Sequence, residues 1–205
     1  MGEPIRIMGI DPGTNYMGYG IIEIVGGKPT ALVMGEIDMH KIKDAHQKLL
    51  YIYERVRSLT RDYKPYEVAF ESPFFGENVQ SMLKLGRAQG VAIAAVLGTS
   101  SDTPIAEYAP SRVKQAITGN GRASKEQVAT MINAMLGTDY KPRKLDATDG
   151  MAVALCHYYM VSSPIHQALA DERSKGLGGG KKGATKGGSK SWAKFLSEHP
   201  EREIK

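Results

Sequence analysis

Ile5-Arg6-Ile7-Met8-Gly9-Ile10-Asp11-Pro12-Gly13-Thr14 is the stretch on which the reading of this chain turns. Ile5 to Ile10 reads as an apolar strand despite Arg6, a length too short for a helix. Asp11-Pro12-Gly13 stops it, because proline lacks the amide hydrogen a ladder needs and glycine accommodates a turn. An acidic side chain therefore stands at the end of an apolar strand, where a site can open to solvent. Met17–Val25 and Thr30–Ile37 read as two further strands joined through Gly26-Gly27. Three strands with short links make an antiparallel meander.

Farther along, strands alternate with helices. His46–Tyr63 carries Leu49, Ile52, Tyr53, Val56 and Leu59 or Thr60 at helical spacing, and Pro65 closes it. Glu67–Phe70 is a short strand with Glu71 at its end, and Pro73 ends regular structure there. Asn78–Leu97 reads as a helix with Val79, Met82, Leu83, Gly86, Gly90, Ile93 and Leu97 on one side. Its two interior glycines cost roughly 1 kcal/mol each. Close approach of another backbone would explain them, either within the subunit or across a dimer. Ile105–Tyr108 is the next strand, and Pro110 opens a helix at its first position. After the Gly119-Asn120-Gly121 turn, Ser124 caps a helix that reaches Leu136, and Lys144–Val161 is the last helix. This order specifies an α/β fold, a mixed five-stranded sheet flanked by helices.

The net charge of +5 is unevenly placed. Residues 175–205 hold eight Lys or Arg against three Glu, whereas residues 1–174 hold 19 of each sign. The pI near 9.2 thus reports the tail, and bears little on what the folded part binds. Seven of the fifteen residues from Gly176 to Lys190 are glycine, so this stretch reads as a flexible basic linker. We expect a folded domain over residues 1–163 and a Gly/Lys-rich tail over 164–205. Ser191–Leu196 reads either as a short helix around Trp192 and Phe195 or as a disordered tail end. One stretch of the folded part is locally basic: Arg112, Lys114, Arg122, Lys125, Lys141, Arg143 and Lys144 against Glu126 and Asp139. It reads equally as a phosphate-facing stripe or as a solvated surface. The single Cys156 has no partner for a disulfide and no Cys or His at metal spacing, so it reads as a small buried apolar residue. With no signal peptide or apolar run near 20 residues, the expectation is a cytoplasmic protein without a membrane span.

The acids are the informative residues. Asp11 and Glu71 end apolar strands, and Asp146 and Asp149 lie three apart on one helix face. That face continues through Ala152, Val153 and Cys156, so both aspartates share the inward side. Burying a carboxylate is unfavourable unless it is paired or binds a metal. These motifs contain no matching lysine or arginine, which points to a divalent cation. Oxygen-only ligands favour Mg²⁺ or Mn²⁺, and two such ions held together support phosphodiester cleavage.

The same residues carry a resemblance. Gly9-Ile10-Asp11-Pro12-Gly13-Thr14 with Gly18-Tyr19-Gly20 resembles the opening of the RuvC Holliday-junction resolvases. Ala69-Phe70-Glu71 followed by Phe74 and Asn78, the run Met82–Ala92, and Glu107-Tyr108-Ala109-Pro110 follow in order. Val113-Lys114-Gln115, the Gly119–Gly121 turn before Lys125, and Asp146–Ala152 complete the set. Together these motifs span about residues 5–160.

The resemblance implies an RNase H-like fold, a homodimer, and symmetric Mg²⁺-dependent nicking of four-way DNA junctions in recombination and repair. It implies Asp11, Glu71, Asp146 and Asp149 as catalytic metal ligands, with Mg²⁺ or Mn²⁺ bound, two per site during catalysis. Some members carry His at the position of Asp146, which makes Asp149 the firmer ligand. Phe74 matches an aromatic that stacks on bases at the opened crossover. Lys114 and Lys125 match basic residues near the scissile phosphate. Arg122 and Arg87 join them as expected DNA contacts. A branch-migration helicase complex of the RuvA and RuvB type is the implied protein partner. The first motif alone also opens actin-like ATPases and sugar kinases. Those enzymes need further phosphate and adenosine motifs and about twice this length, and neither is seen.

Overall fold

The structure, a computed structural model, describes residues 4–73, 78–138 and 146–162. Five strands and five helices follow in order: β1 (Ile5–Asp11), β2 (Tyr16–Val25), β3 (Lys28–Asp38), α1 (Ala45–Tyr63), β4 (Glu67–Glu71), α2 (Val79–Leu97), β5 (Ile105–Tyr108), α3 (Pro110–Thr118), α4 (Lys125–Leu136) and α5 (Asp146–Val161). The strands form one mixed sheet in the order β3-β2-β1-β4-β5. β1, β2 and β3 pair antiparallel, whereas β4 is parallel to β1 and β5 is parallel to β4. The expected α/β class and five-stranded mixed sheet are therefore found.

Local chemistry accounts for this order. Gly26 and Gly27 both have positive φ, as a tight two-residue hairpin turn demands, and they join β2 to β3. Parallel neighbours need a crossover long enough to return the chain, and α1 and α2 supply the two crossovers. Successive side chains in β1 point to opposite faces. Met8 and Ile10 join a core with Ile52 and Val56 of α1 and Ala92 and Val96 of α2. Ile7 joins the other core, with Val113 of α3, Ile132 of α4 and Met151 and Ala154 of α5. Cys156 is fully buried in this second core, as its surroundings in the sequence indicated. Ser124 caps α4 through a reciprocal capping box with Gln127.

Glycines set how closely α5 lies on the sheet. A β-carbon at Gly9 would run into the Gly150 and Ala154 backbone, and one at Gly20 into Met151. At Gly18 it would strike the Asp146 carbonyl, and at Gly150 the Tyr19 backbone. With no side chain between them, helix and strands meet backbone to backbone. Gly18 is the register partner of Asp11, so this approach holds the first turn of α5 over the end of β1.

α2 buries Ala88, Gln89, Ala92, Ala95 and Val96, whereas Val79, Leu83 and Leu97 are exposed. Ala88, Ala92 and Ala95 share a core with Ile52 and Val56 of α1 and with Met8, Ile10 and Phe70 of the sheet. Among the described residues, a β-carbon at Gly86 or Gly90 would meet nothing within 4 Å. Close approach inside the subunit therefore does not explain those glycines.

No helix among the described residues is long and apolar enough to cross a membrane. Phe74, Lys141, Arg143, Lys144 and the tail with Trp192 lie outside the described residues.

Candidate active site

β1 and β4 run parallel, and their register pairs Ile10 with Phe70. The residue after each is acidic: Asp11 on β1 and Glu71 on β4. Two-residue alternation puts both on the side of Gly9 and Ala69, the face that α5 covers. The first turn of α5 brings Asp146 and Asp149 to the same place. Asp149 is the inner of the two, its side chain 13% exposed against 31% for Asp146. Asp11, Glu71 and Asp149 line a cleft of about 150 Å³ together with Lys114 of α3 and Lys125 of α4.

The electrostatics follow from crowding like charges in a partly buried space. Burial, then the charges of Glu71 and Asp149, raise the pKa of Asp11 well above the usual carboxylate range. Burial, then the Asp149 charge, push Glu71 up to about 7. Burial also raises Asp149, against the opposing hydrogen bond and charge of Lys125. The Lys125 ammonium donates to Asp149 Oδ2 and lies 3.7 Å from Asp146 Oδ1. Burial alone would lower the pKa of Lys125, but the Asp149 hydrogen bond and the charges of Asp149, Asp11 and Asp146 outweigh it and raise it.

The sequence motifs showed no cation matched to the acids, and Lys125 supplies one from another element. Among the described residues, no three Asp, Glu, His or Cys side chains converge as a metal-binding set. The ammonium holds Asp149, and mutual repulsion opposes gathering the remaining acids at one point. The donor set still fits a hard divalent cation. It consists of carboxylate oxygens alone, and three of the four acids have pKa values raised in a way that added positive charge would relieve.

The other expected contacts divide between locations. Lys114 and Lys125 reach the acidic cleft. Arg122 is exposed on the turn before α4 and does not line that cleft. Arg87 lies on α2 beside Lys84, in a separate cleft on the other side of the sheet.

A polar chain behind the site was not read from the sequence. His157 of α5 is 6% exposed, with Nε2 against Glu67 Oε2 of β4 and Nδ1 2.7 Å from the Tyr108 hydroxyl of β5. Burial first, then the neighbouring Cys156 and Glu67, push the Tyr108 phenol up to about 12. The chain ties α5 to the parallel strands β4 and β5. Two signals in the sequence pointed to it. Glu67 shares strand parity with Glu71, and His157 falls one helical turn after the buried Val153.

Comparison with known proteins fits this geometry. The family model described as crossover junction endodeoxyribonuclease RuvC matches residues 7–157. The crossover junction endodeoxyribonuclease RuvC of Bacteroides fragilis is 47% identical over 207 residues, covering 98% of this chain and 99% of that protein. The RuvC of Christiangramia forsetii is 55% identical over 153 residues, covering 75% of this chain and 79% of that protein. Among solved structures, Thermus thermophilus RuvC in complex with Holliday junction substrate superposes with a TM-score of 0.66 at 29% identity, covering 76% of this chain and 94% of that one. Acids at the ends of two parallel strands beneath a backbone-packed helix, and this likeness along nearly the whole chain, agree: the chain belongs to the RuvC family of crossover junction endodeoxyribonucleases.

Proposed function

We propose that this chain resolves four-way DNA junctions by symmetric, metal-dependent phosphodiester hydrolysis in recombination and repair. The observation that carries the reading is the parallel register Ile10 to Phe70, which sets Asp11 and Glu71 side by side under the first turn of α5. Asp11, Glu71, Asp146 and Asp149 are the ligands we assign to Mg²⁺ or Mn²⁺, two ions per site during catalysis. When bound, these ions supply Lewis-acid activation of water and stabilisation of the leaving oxygen. Lys114 and Lys125 stand at the wall of the acidic cleft, where their ammonium groups can hold the non-bridging oxygens of the scissile phosphate. Phe74 follows Glu71 by three residues and keeps its proposed role of stacking on bases at the crossover.

The homodimer reading has support on α2. Val79, Leu83, Gly86 and Gly90 form an exposed stripe at helical spacing, apolar at one end and open to a second backbone at the other. A two-fold pair of such helices would set one acidic cleft on each of two equivalent strands. If so, Leu83→Arg yields a monomer in sedimentation analysis; an unchanged dimer would exclude this face.

A synthetic four-way junction tests the function itself. The parent should cut it in Mg²⁺ and not in EDTA, and Asp11→Asn should bind the junction without cutting. Equal cleavage of linear duplex would remove the junction assignment. Full activity of Asp11→Asn would remove the metal-site assignment.

A further inference from the structure

On the α1–α2 side of the sheet lies a second cleft, of about 290 Å³, walled by α1, α2 and the turn after β1. Lys43 enters it from the segment before α1, Lys48 from the first turn of α1, and Lys84 and Arg87 from α2. No Asp or Glu lines it. The nearest acid in sequence, Asp44, caps α1 by accepting from the Gln47 amide at 2.8 Å, and lies 3.9 Å from Nδ1 of His46, a lining residue. Residues 1–174 hold equal numbers of acidic and basic side chains, so four cations facing one cavity without an acid is a local excess. Gathering like charges around one space is unfavourable unless an anion occupies it.

The cavity is joined to the turn that follows Asp11. Lys48 Nζ donates to the Thr14 carbonyl at 2.9 Å and to Asn15 Oδ1 at 2.7 Å, which leaves its third hydrogen for a ligand. Among the described residues, Lys43, Lys84 and Arg87 have no acidic partner, and all three are exposed. Thr14, in the cleft wall, is three residues past Asp11, so chain length alone keeps it within about 11 Å of that acid. A strand with one phosphate at the acidic cleft can therefore present a nearby backbone phosphate to this cavity.

We propose that Lys43, Lys48, Lys84 and Arg87 form a second phosphate-binding site, which holds a backbone phosphate of the DNA a few nucleotides from the scissile bond. The inference rests on the junction-cleaving function proposed above. It adds a contact on the opposite side of the sheet from Lys114 and Lys125, reached by strands that pass over the turn after Asp11.

The test uses the full chain and a synthetic four-way junction in EDTA, so that binding is read without cutting. Lys84→Gln/Arg87→Gln should lower the slope of log Kd against log salt by about 0.9, the loss of one phosphate contact. Junctions bearing one neutral methylphosphonate at successive positions then locate the contact. Neutralising one phosphate within a few nucleotides of the cut should weaken the parent several-fold and leave the double variant unmoved. An unchanged salt slope, or equal losses in parent and variant at every position, overturns the site. Competition by inorganic phosphate at Lys84 and Arg87 without coupling to any DNA phosphate also overturns it, as a small-anion site. Equal melting temperatures for parent and variant establish that folding is not the cause. If the parent binds and cuts junctions while the variant behaves like it, only this inference fails. If the parent does not bind junctions, the proposed function fails with it.

Discussion

Glu71→Gln should make the metal-free protein more stable at pH 8, although it removes a residue of the proposed metal site. Burial and the Asp149 charge raise Glu71 from 4.5 to about 7. At 1.36 kcal/mol per pH unit, keeping it ionised at pH 8 costs about 3 kcal/mol. The sign follows from proton binding. In the unfolded chain the carboxyl ionises near 4.5, in the folded chain near 7. Between these values the folded state holds a proton that the unfolded state has lost, so stability falls as pH rises. The destabilisation is absent below about 4.5 and complete above about 7. Glutamine keeps the size and one oxygen without the charge, but its amide must also be hydrated in a half-buried place. A net gain of about 1–3 kcal/mol is therefore expected, equivalent to roughly 2–4 °C in Tm per kcal/mol. Urea unfolding followed by circular dichroism in EDTA, at pH 8 and pH 5, reads it out, with the gain much smaller at pH 5. Added Mg²⁺ should narrow the difference, because it stabilises the parent through a site the variant has weakened. A variant no more stable than the parent at pH 8, or a gain independent of pH, would refute the claim that these acids repel one another in the folded state.

Three other outcomes follow from the structure. Lys125→Met removes the cation that opposes burial at Asp149, so the carboxyls should hold their protons to higher pH; the acid limb of the cleavage pH profile should move upward, and a downward or absent shift would contradict this. Gly18→Ala forces a β-carbon against the Asp146 carbonyl; the cost should be at least about 1–3 kcal/mol, measured by urea unfolding, with cleavage reduced because the first turn of α5 is displaced. Ser124→Ala breaks the capping box of α4; it should lower stability by about 1 kcal/mol, and a loss far outside that range would mean the cap does more than close the helix.

Much of the fold was legible because its signals are local. The β2–β3 hairpin is encoded in Gly26-Gly27, the N-terminus of α4 in Ser124 and Gln127, and the end of β1 in Asp11-Pro12-Gly13. The apolar period of α1, read as Leu49, Ile52, Tyr53, Val56 and Leu59 or Thr60, matches its packed side: Ile52, Val56, Leu59 and Thr60 are buried, and Leu49 and Tyr53 are partly buried against the same core. α2 was harder because both of its sides are apolar. Periodicity cannot tell a face that packs against the sheet from one that is left open, and the exposed Val79 and Leu83 belong to the second kind.

The sequence by itself determined which side chains could form the acidic site. Asp11 and Glu71 end two apolar strands, and helical spacing puts Asp149 on the inward side of its helix; that the two strand-end acids share one face follows from the parallel register of β1 and β4. Only the tertiary structure decided what surrounds them. Lys125 comes from 24 residues before Asp149 to hold its carboxylate. His157 bridges to Glu67, 90 residues away, and to Tyr108. Lys48 of α1 and the preceding Lys43 meet Lys84 and Arg87 of α2 around one cavity although β4 separates the two helices in the chain. Period and propensity act between neighbours in the chain. Pairing of charges depends on which elements the sheet brings together, and that is set by the crossovers and by the glycines that let α5 lie against β1 and β2.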